Sequence, residues 1–256
     1  MSETVGRPPP KPVRTIGARL GHYLSGNAAL LLTALAGGLL VLGLTIACAS
    51  VYDAVAEKDG VSGLDEPALE LAISLRTPLD DQVVTAFTQL GGPVGMSIIA
   101  GTITILMVWR WRALTPLILM VIAVAGSLTF TTVGKAIVGR ARPPLSEAVP
   151  PYEYAFSFPS GHTVNSTVIA GMVAYLVARR LESHLGRVLC GVAAVAWSLA
   201  IGLSRVFLGH HWLTDVIFAW LLGVAWLGLL ITAHQIYLIA NRVPTRGRPA
   251  EEAAPG

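Results

Sequence analysis

Long apolar stretches alternate with short polar segments along most of this chain. Six such stretches can be delimited, at about 28–51, 93–109, 114–138, 163–177, 188–203 and 212–236. Most approach the roughly 20 residues that an α-helix needs to cross the hydrocarbon core of a bilayer. Because Gly, Ala and Leu dominate and no segment alternates with a period of two, strands are not indicated. The pattern predicts an all-α polytopic membrane protein with six transmembrane helices in one domain, at residues 27–240.

Two of these stretches need separate comment. The fourth is short and contains Asn165, Ser166 and Thr167, so we expect it to face neighbouring helices rather than lipid. The first follows basic residues and could instead be a cleaved signal peptide. Its apolar run is longer than the roughly 7–15 residues of a signal h-region, however, and five more stretches follow it. We therefore interpret it as an uncleaved span.

Composition agrees with a membrane location. The chain is 54% hydrophobic and 13% charged, with a mean hydropathy of +0.65, whereas soluble domains carry roughly 25% charged residues. A net charge of +3 is too small to indicate nucleic-acid binding. Cys48 and Cys190 both lie in apolar stretches and are interpreted as small buried hydrophobes. No Cys/His spacing resembles a zinc site.

Charge placement predicts the orientation. With a cytoplasmic N-terminus, 12 of the 18 Lys and Arg residues fall on the cytoplasmic side, as the positive-inside rule requires. Both termini are then cytoplasmic, in tails at 1–26 and 241–256 that their Pro, Gly and charge content predicts to be disordered. The outer loop at 52–82 is acidic and could hold an interfacial helix over 64–79. The outward basic residues at the ends of later spans oppose the trend; they are Lys135, Arg140, Arg142 and Arg205.

Three segments with reactive side chains each lie at an outer end of a predicted span. They are Lys135-x6-Arg142-Pro143, Pro159-Ser160-Gly161-His162 and Ser204-Arg205-x5-His211-x3-Asp215. Counting the spans places all three on one face of the membrane. Segments that are far apart in sequence therefore converge, with the catalytic loops and helix ends on the extracytoplasmic side.

The residue types suit phosphoryl transfer, in which catalysis is mainly positioning and electrostatic stabilisation of the phosphoryl oxygens. Lys135, Arg142 and Arg205 supply cationic groups, and the two arginines can bind oxygens in a bidentate manner. Ser160 and Gly161 lie where a loop enters a helix. At such a position we expect unpaired backbone N–H groups to favour an anion.

His211 and Asp215 are four residues apart, so on a helix they share one face. The carboxylate can accept from one imidazole nitrogen and leave the other free to attack phosphorus. His162 could protonate the leaving alkoxide and then activate the water that hydrolyses a phosphohistidine. Because the cations already balance the phosphate charge, neither a metal ion nor a cofactor is expected. Arg140 and His210, in contrast, are interpreted as interfacial polar residues.

The three segments resemble the signature of the type-2 phosphatidic acid phosphatase superfamily, and every fixed position of that signature is present. The motifs cover 135–215, and the six-span layout extends the resemblance over about 28–237. The resemblance implies a metal-independent phosphatase with an extracytoplasmic site, in which His211 is the nucleophile, Asp215 its partner and His162 the general acid and base. It also implies that phosphate is held by Lys135, Arg142, Ser160, Gly161 and Arg205.

The leading prediction is hydrolysis of a phosphomonoester or pyrophosphate on a lipid of the cell membrane. By resemblance to bacterial members of the family, the candidate substrates are polyprenyl pyrophosphate (such as undecaprenyl pyrophosphate), phosphatidic acid and phosphatidylglycerol phosphate. A lipid phosphotransferase using the same site is the alternative. A vanadate-binding haloperoxidase would be soluble and larger. A transporter would place charges near the bilayer midplane, whereas here they gather at the helix ends.

Overall fold

A computed structural model describes residues 16–241 of the 256-residue chain. Over that range the secondary structure is helical, with no strand, and this confirms the predicted all-α class. The α-helices are α1 (Ile16–Glu57), α2 (Asp65–Ser74), α3 (Pro78–Thr88), α4 (Pro93–Trp111), α5 (Thr115–Val138), α6 (Gly161–Ala178), α7 (His184–Phe207) and α8 (Leu213–Ala240).

Contacts divide the chain into two units. In one unit the described residues are helix ends, namely 16–36 in α1 and 232–240 in α8. The other unit, Gly37–Ile231, contains all of the predicted site residues. The structure of the candidate site is therefore the structure of this second unit.

Five helices of the described range are long and apolar enough to cross a membrane. They are α1 over Asn27–Glu57, α4, α5, α7 and α8, with mean hydropathies between 1.5 and 2.3. α6 has 18 residues and is not among them. The count of six spans, and the side of the membrane that each helix end faces, stay predictions.

α6 lies within the core of the second unit. Met172 is fully buried, and the polar side chains of α6 bond to the helices on either side. Asn165 Oδ1 accepts from Ser127 Oγ at 2.7 Å, and the hydroxyls of Thr167 and Ser198 are 2.5 Å apart. Hydrogen bonds between helices satisfy polar groups that lipid cannot. This burial confirms the expectation that the short fourth stretch faces its neighbours.

The outward faces of α4, α5 and α7 carry large apolar side chains. Ile98, Ile105, Ile137 and Leu189 are between 57% and 72% exposed. In water, apolar surface of this kind costs about 25 cal/mol per Å², and contiguous patches mark contact with a partner or a membrane. The acyl chains of a bilayer would cover these faces without that cost.

Glycines allow α8 to lie close to its neighbours. A Cβ added at Gly223 would lie 2.9 Å from Thr167 on α6, and one added at Gly202 on α7 would lie 2.5 Å from the Trp220 ring. Close packing is the main attraction between helices in a membrane, because lipid is as apolar as leucine. These glycines therefore set the spacing of α6, α7 and α8, whose ends carry the site.

The chain between α1 and α4 is more helical than predicted. α1 continues to Glu57, past the predicted limit of the first span, and α2 covers part of the predicted 64–79. The location of α2 at a membrane surface stays a prediction. α3 was not predicted, although its start carries a readable signal. Thr77 accepts a hydrogen bond from the Asp80 N–H at 3.2 Å, and Pro78 occupies the first turn, where a proline costs no hydrogen bond.

Residues 16–26, predicted as part of a disordered tail, are helical and form the first turns of α1. This part of the prediction is wrong, because a helix that is already formed extends at low cost: each added residue contributes one backbone hydrogen bond. Of the rest of the two predicted tails, Asn241 forms a turn after α8, and 1–15 and 242–256 lie outside the described residues.

Candidate active site

The structure brings the predicted site residues together from four helix ends and the connections between them. Arg142 Nη1 lies 3.1 Å from His211 Nε2, and the Ser160 backbone N–H donates to the Asp215 carbonyl at 3.4 Å. Both pairs join segments that are more than 50 residues apart. The predicted convergence of distant motifs is therefore present in the fold.

His211 is 1% exposed, and both of its ring nitrogens have polar neighbours. Nδ1 lies 3.3 Å from Asp215 Oδ2 and 3.3 Å from Ser157 Oγ. A carboxylate beside Nδ1 favours the tautomer that carries its proton on that nitrogen, which leaves a lone pair on Nε2. Nε2 is the nitrogen that faces Arg142.

The electrostatic environment keeps His211 neutral. Burial, together with the positive charges of Arg142 and Arg205, holds the pKa of His211 well below its usual value. Each of these influences disfavours the imidazolium form. The ring is therefore unprotonated on Nε2 near pH 7, which is the form that can act as a nucleophile.

The spacing of His211 and Asp215 suggested that they pair on one face of a helix. In the structure, α8 begins at Leu213, so His211 precedes the helix. Asp215 lies in the first turn of α8 and reaches back over it, so that its Oδ2 accepts from the Trp212 backbone N–H at 3.0 Å. This is the return bond of a capping box, in which an acidic residue satisfies the N–H that precedes the helix. The helix start thus holds the carboxylate against His211.

Asp215 is fully buried, and further donors hold it. Its Oδ1 accepts from Arg140 Nη1 at 2.6 Å, and Oδ2 accepts a short hydrogen bond from the Ser157 hydroxyl. Burying a carboxylate is costly unless its oxygens are paired in this way. The same bonds fix the orientation of the carboxylate toward His211.

Arg140 connects Asp215 to a second buried carboxylate, that of Asp65 at the start of α2. Arg140 Nη2 lies 2.6 Å from Asp65 Oδ2, and Nη1 also donates to Thr214 Oγ1 at 2.8 Å. Asp65 Oδ1 in turn accepts from the Thr214 backbone N–H at 2.8 Å. We refer to Asp65, Arg140, Thr214 and Asp215 as the Asp215 network.

The interpretation of Arg140 as an interfacial residue is wrong. Its side chain is 18% exposed and is bonded to two carboxylates instead of extending toward water. The sequence did contain a signal for this role: Arg140 is a basic residue on the predicted outer side, where acidic residues predominate. Asp65 was missed altogether, because an acidic residue in an acidic loop carries no distinguishing pattern.

A different carboxylate joins the two arginines that the motifs assign to phosphate. Glu153 Oε2 lies 2.8 Å from Arg142 Nη2, and Oε1 accepts a short hydrogen bond from Arg205 Nη2. Burial raises the pKa of Glu153, but the charges of Arg205 and Arg142 outweigh burial and hold that pKa at about 2. Glu153 is therefore ionised near pH 7. We refer to Glu153, Arg142 and Arg205 as the Glu153 cluster.

Glu153 was also missed by the sequence analysis. It lies in the connection of residues 139–160 between α5 and α6, outside all three motifs. An acidic residue close to basic motifs is too common to single out, and nothing in its spacing predicts which arginines it meets.

Arg205 and His210 each retain an unpaired nitrogen. Arg205 is 1% exposed, and its Nη1 donates to Thr88 Oγ1 at 3.3 Å. His210 is 3% exposed rather than interfacial as expected, and its Nε2 lies 2.7 Å from the Val149 carbonyl. Within the described structure, Arg205 Nε and His210 Nδ1 have no hydrogen-bond partner. Because His210 Nδ1 lies 4.0 Å from Glu153 Oε1, both unpaired nitrogens lie at or beside the Glu153 cluster.

Lys135 and Ser160 are both engaged by the connection around them. Lys135 Nζ donates a short hydrogen bond to the Phe156 carbonyl. The Ser160 N–H was expected to be unpaired, but the first turn of α8 packs against this connection and Asp215 O accepts from it. The Ser160 hydroxyl accepts from Thr163 Oγ1 at 2.9 Å and keeps its own proton to donate.

Gly161 and His162 form the start of α6. A Cβ added at Gly161 would lie 3.0 Å from Thr131 Cγ2, so a glycine lets this helix start lie against α5. His162 is half-buried and close enough to Arg205 and Glu153 for their charges to act on its ring. The predicted general acid is thus a neighbour of the Glu153 cluster.

No group of three or more His, Cys, Asp or Glu side chains is placed to hold a metal ion in the part of the chain that the structure describes. The positive charges around His211 belong to arginine and lysine side chains. Independence from metal ions stays a prediction.

The fold and the candidate site together define a helical, multi-pass membrane protein in which arginine side chains lie beside a buried histidine. Residues 113–237 match the PAP2 superfamily, so this part of the chain carries a PAP2 superfamily domain. The resemblance inferred from the three motifs is thereby confirmed.

Two similar proteins carry the names of phosphatidylglycerol phosphate phosphatases. Phosphatidylglycerophosphatase B of Bacillus subtilis (strain 168) is 29% identical over 182 residues, which are 68% of this chain and 85% of that protein. A transmembrane PAP2-type phosphatidylglycerolphosphate phosphatase from Bacillus subtilis has a crystal structure similar to this chain, with a TM-score of 0.67 and 25% identity, covering 78% of this chain and 96% of that one.

A second solved structure agrees in fold alone. LpxE of Aquifex aeolicus has a TM-score of 0.52 and 23% identity, and the match covers 67% of this chain and 95% of that one. The superfamily and the named relative indicate that this chain is a lipid phosphatase.

Proposed function

We propose that the chain removes a terminal phosphate from a membrane lipid through a phosphohistidine formed on His211. The observation that supports this most directly is the arrangement of the imidazole, with Nε2 3.1 Å from Arg142 and Nδ1 3.3 Å from the buried Asp215. A neutral nucleophilic nitrogen thus faces guanidinium groups that bind anionic oxygens. The unpaired Nε of Arg205 offers a further donor.

In the first step, His211 Nε2 attacks phosphorus in line with the leaving oxygen. The P–N bond forms as the P–O bond to the lipid breaks, and His162, which takes up a proton when the anionic phosphate binds beside it, gives that proton to the leaving oxygen. The guanidinium groups of Arg142 and Arg205 stabilise charge on the phosphoryl oxygens. Asp215 stabilises the positive charge that develops on the imidazole. With a monophosphate substrate the leaving group is an alcohol, and with a pyrophosphate it is a lipid monophosphate.

In the second step, water attacks phosphorus and His162 accepts a proton from it. The P–N bond breaks, inorganic phosphate is released and His211 returns to its neutral form. Lys135, the Ser160 hydroxyl and the Gly161 backbone hold the phosphoryl group during both steps.

The candidate substrates are phosphatidylglycerol phosphate, phosphatidic acid and polyprenyl pyrophosphate. The similarity to a protein named phosphatidylglycerophosphatase B supports the first of these. A phosphate-release assay with the purified chain in detergent micelles, run with each lipid and with and without a chelator, distinguishes them. Activity of the wild type that disappears in chelator would contradict the metal-independent mechanism.

The nucleophile is tested by His211→Ala. We expect phosphate release to fall by at least about 10³-fold, as is usual when a catalytic nucleophile is removed, and radiolabelled phosphate to be no longer trapped on the protein. The matched control is His184→Ala, because His184 is an exposed histidine at the start of α7. Undiminished activity of His211→Ala would remove the assignment.

We further propose that the site lies on the extracytoplasmic face, with both termini in the cytoplasm. The support is the charge bias, with 12 of 18 basic residues on the opposite side. In a cysteine-free background, Tyr154→Cys should react with an impermeant maleimide on intact cells, since Tyr154 is 83% exposed beside the site. Arg112→Cys, between α4 and α5, should react only after lysis. The reverse pattern would contradict the orientation.

A further inference from the structure

Glu153 binds the donors that a phosphate would use. Each of its carboxylate oxygens pairs with a different arginine, Arg142 and Arg205. A guanidinium presents a limited set of N–H groups in one fork. A carboxylate and a phosphate therefore cannot both pair fully with the same two arginines, and the two anions compete.

We infer that Glu153 is a specificity-determining residue, an internal competitor that a doubly charged terminal phosphate displaces and a singly charged phosphodiester does not. The inference rests on the proposed function, since it takes Arg142 and Arg205 as the phosphate site. It addresses a problem that any lipid phosphatase faces, because the surrounding membrane presents many phosphodiester headgroups for each terminal phosphate.

The charge of an anion and its number of free oxygens decide whether it displaces the Glu153 carboxylate. A phosphate monoester carries about −1.5 to −2 charges near pH 7 and three strong acceptor oxygens. A phosphodiester carries one charge and two free oxygens, the same as the Glu153 carboxylate. The carboxylate has the further advantage of being tethered, because a group on a short flexible linker has an effective concentration on the order of millimolar. Displacing the carboxylate costs both anions the same free energy, so only the monoester, which binds the freed arginines more strongly through its extra charge and oxygen, offsets that cost.

The structure also provides a route by which the carboxylate can leave. The Glu153 side chain is 31% exposed, and the flanking Tyr152 and Tyr154 are 44% and 83% exposed. Because Glu153 lies in the connection between α5 and α6 rather than on a helix, it can turn toward water without any helix unfolding.

A purely structural role would predict a different pattern of results on mutation. If Glu153 served only to neutralise the buried Arg205, Glu153→Gln would lower the melting temperature and tighten anion binding through the charge that it removes, but Glu153→Asp, which keeps that charge, would leave anion binding unchanged. A competitor that is shortened binds the two arginines less well, so Glu153→Asp then tightens anion binding as well. The effect of Glu153→Asp on anion affinity therefore separates the two roles.

The test compares the wild type with Glu153→Gln in the full chain purified in detergent. The measurements are the inhibition constants of inorganic phosphate and of dioctanoylphosphatidylglycerol, a singly charged phosphodiester. We expect both constants to fall, that of the diester by about tenfold or more, given the effective concentration of the tethered carboxylate. Glu147→Gln is the matched control, because it removes a carboxylate of the same connection that does not pair with either arginine. Inhibition constants that are unchanged or raised in Glu153→Gln would overturn the inference.

Glu153→Asp covers the case in which Glu153→Gln does not fold. It keeps the charge beside Arg205 but is one methylene too short to bridge both arginines, so a smaller fall of the same sign is expected, and no fall would overturn the inference. Lipid hydrolysis by the wild type, absent in His211→Ala, reports separately on the proposed function. If no lipid is hydrolysed, the thermal shift produced by inorganic phosphate in the same variants still measures anion affinity.

Discussion

Arg140 and Arg142 are two residues apart, and each is bound by a carboxylate, but their surroundings differ. Arg140 lies between Asp65 and Asp215, whose side chains are 5% and 0% exposed. Arg142 pairs with Glu153, which is 31% exposed. Arg140 thus pairs with two carboxylates that are buried, and Arg142 pairs with a carboxylate that water can reach.

This difference separates two tasks that arginine performs in one site. Breaking one side of a buried ion pair costs about 3–5 kcal/mol, because it leaves an uncompensated charge. The Asp215 network is therefore suited to fixing the orientation of the carboxylate that supports His211. The Glu153 cluster loses less when it opens, because its carboxylate can be hydrated, and it is suited to exchanging one anion for another.

Within this comparison of the two arginines, the largest effect is expected for Arg142→Ala. Arg142 lies 3.1 Å from the proposed nucleophile, so in the proposed mechanism its loss removes both a phosphate ligand and a stabiliser of the transition state. We expect kcat/KM to fall by about 10²–10³-fold, as for removal of one oxyanion donor, with a raised KM. Steady-state kinetics on a lipid phosphate measure this. A change of only a few-fold would show that Arg142 does not hold the phosphoryl group.

Asp65→Asn should produce a different kinetic signature. Without Asp65, Arg140 can shift and Asp215 is less well oriented, so we expect kcat to fall by up to about 10²-fold while KM stays nearly constant. The exposed Asp53→Asn in α1 is the control. In the double variant Asp65→Asn/Arg140→Gln, the activation free energy should rise by less than the sum of the rises in the two single variants, because the two residues act through one network. Additive effects, or a raised KM, would contradict a positioning role.

A smaller loss is expected for Ser157→Ala. The Ser157 hydroxyl donates to Asp215 Oδ2 and lies 3.3 Å from His211 Nδ1. A hydrogen bond to a charged group contributes about 1.5 kcal/mol, which corresponds to about tenfold in kcat, and the other donors to Asp215 remain. Ser146→Ala, an exposed serine of the same connection, should retain full activity. Full activity of Ser157→Ala would show that this hydroxyl does not support the carboxylate.

The smallest expected effect concerns the pH profile. Because burial, Arg142 and Arg205 lower the pKa of His211, the wild type should stay active well below the usual imidazole pKa of about 6.5. Protonation inactivates the nucleophile, and loss of a nearby positive charge raises the pKa of His211. The acid limb of kcat/KM should therefore move to higher pH in Arg142→Gln, whereas Asp65→Asn should show no upward shift. An unmoved acid limb in Arg142→Gln would contradict this electrostatic account.

Much of the fold could be predicted because spanning helices leave a strong local signal. Five of the predicted apolar stretches correspond to helices long enough to cross a membrane, and the polar content of the fourth stretch correctly indicated that α6 faces other helices. The connection between α1 and α4 was less predictable, because acidic residues are frequent among its apolar ones. Even there, the sequence Thr77-Pro78 marked the start of α3.

The candidate site was also predictable only in part. The predicted His211–Asp215 contact is present, because the two residues lie four apart in one turn, although the structure builds that contact from a helix start rather than a helix face. The roles of Arg140, Asp65 and Glu153 were not predictable. Arg140 contacts Asp65 across 75 residues, and no local pattern encodes such a pair.

By itself, the sequence determined the helical membrane class, the motifs that meet at the helix ends, and the residue types that suit a phosphate. Hydrophobic periodicity and fixed motif spacing are local, and local physics is enough to interpret them. Only the tertiary structure decided which carboxylate pairs with which arginine. That choice depends on the course of the connections and on which carboxylates become buried, so Arg140 pairs with Asp215 while Arg142, two residues later, pairs with Glu153.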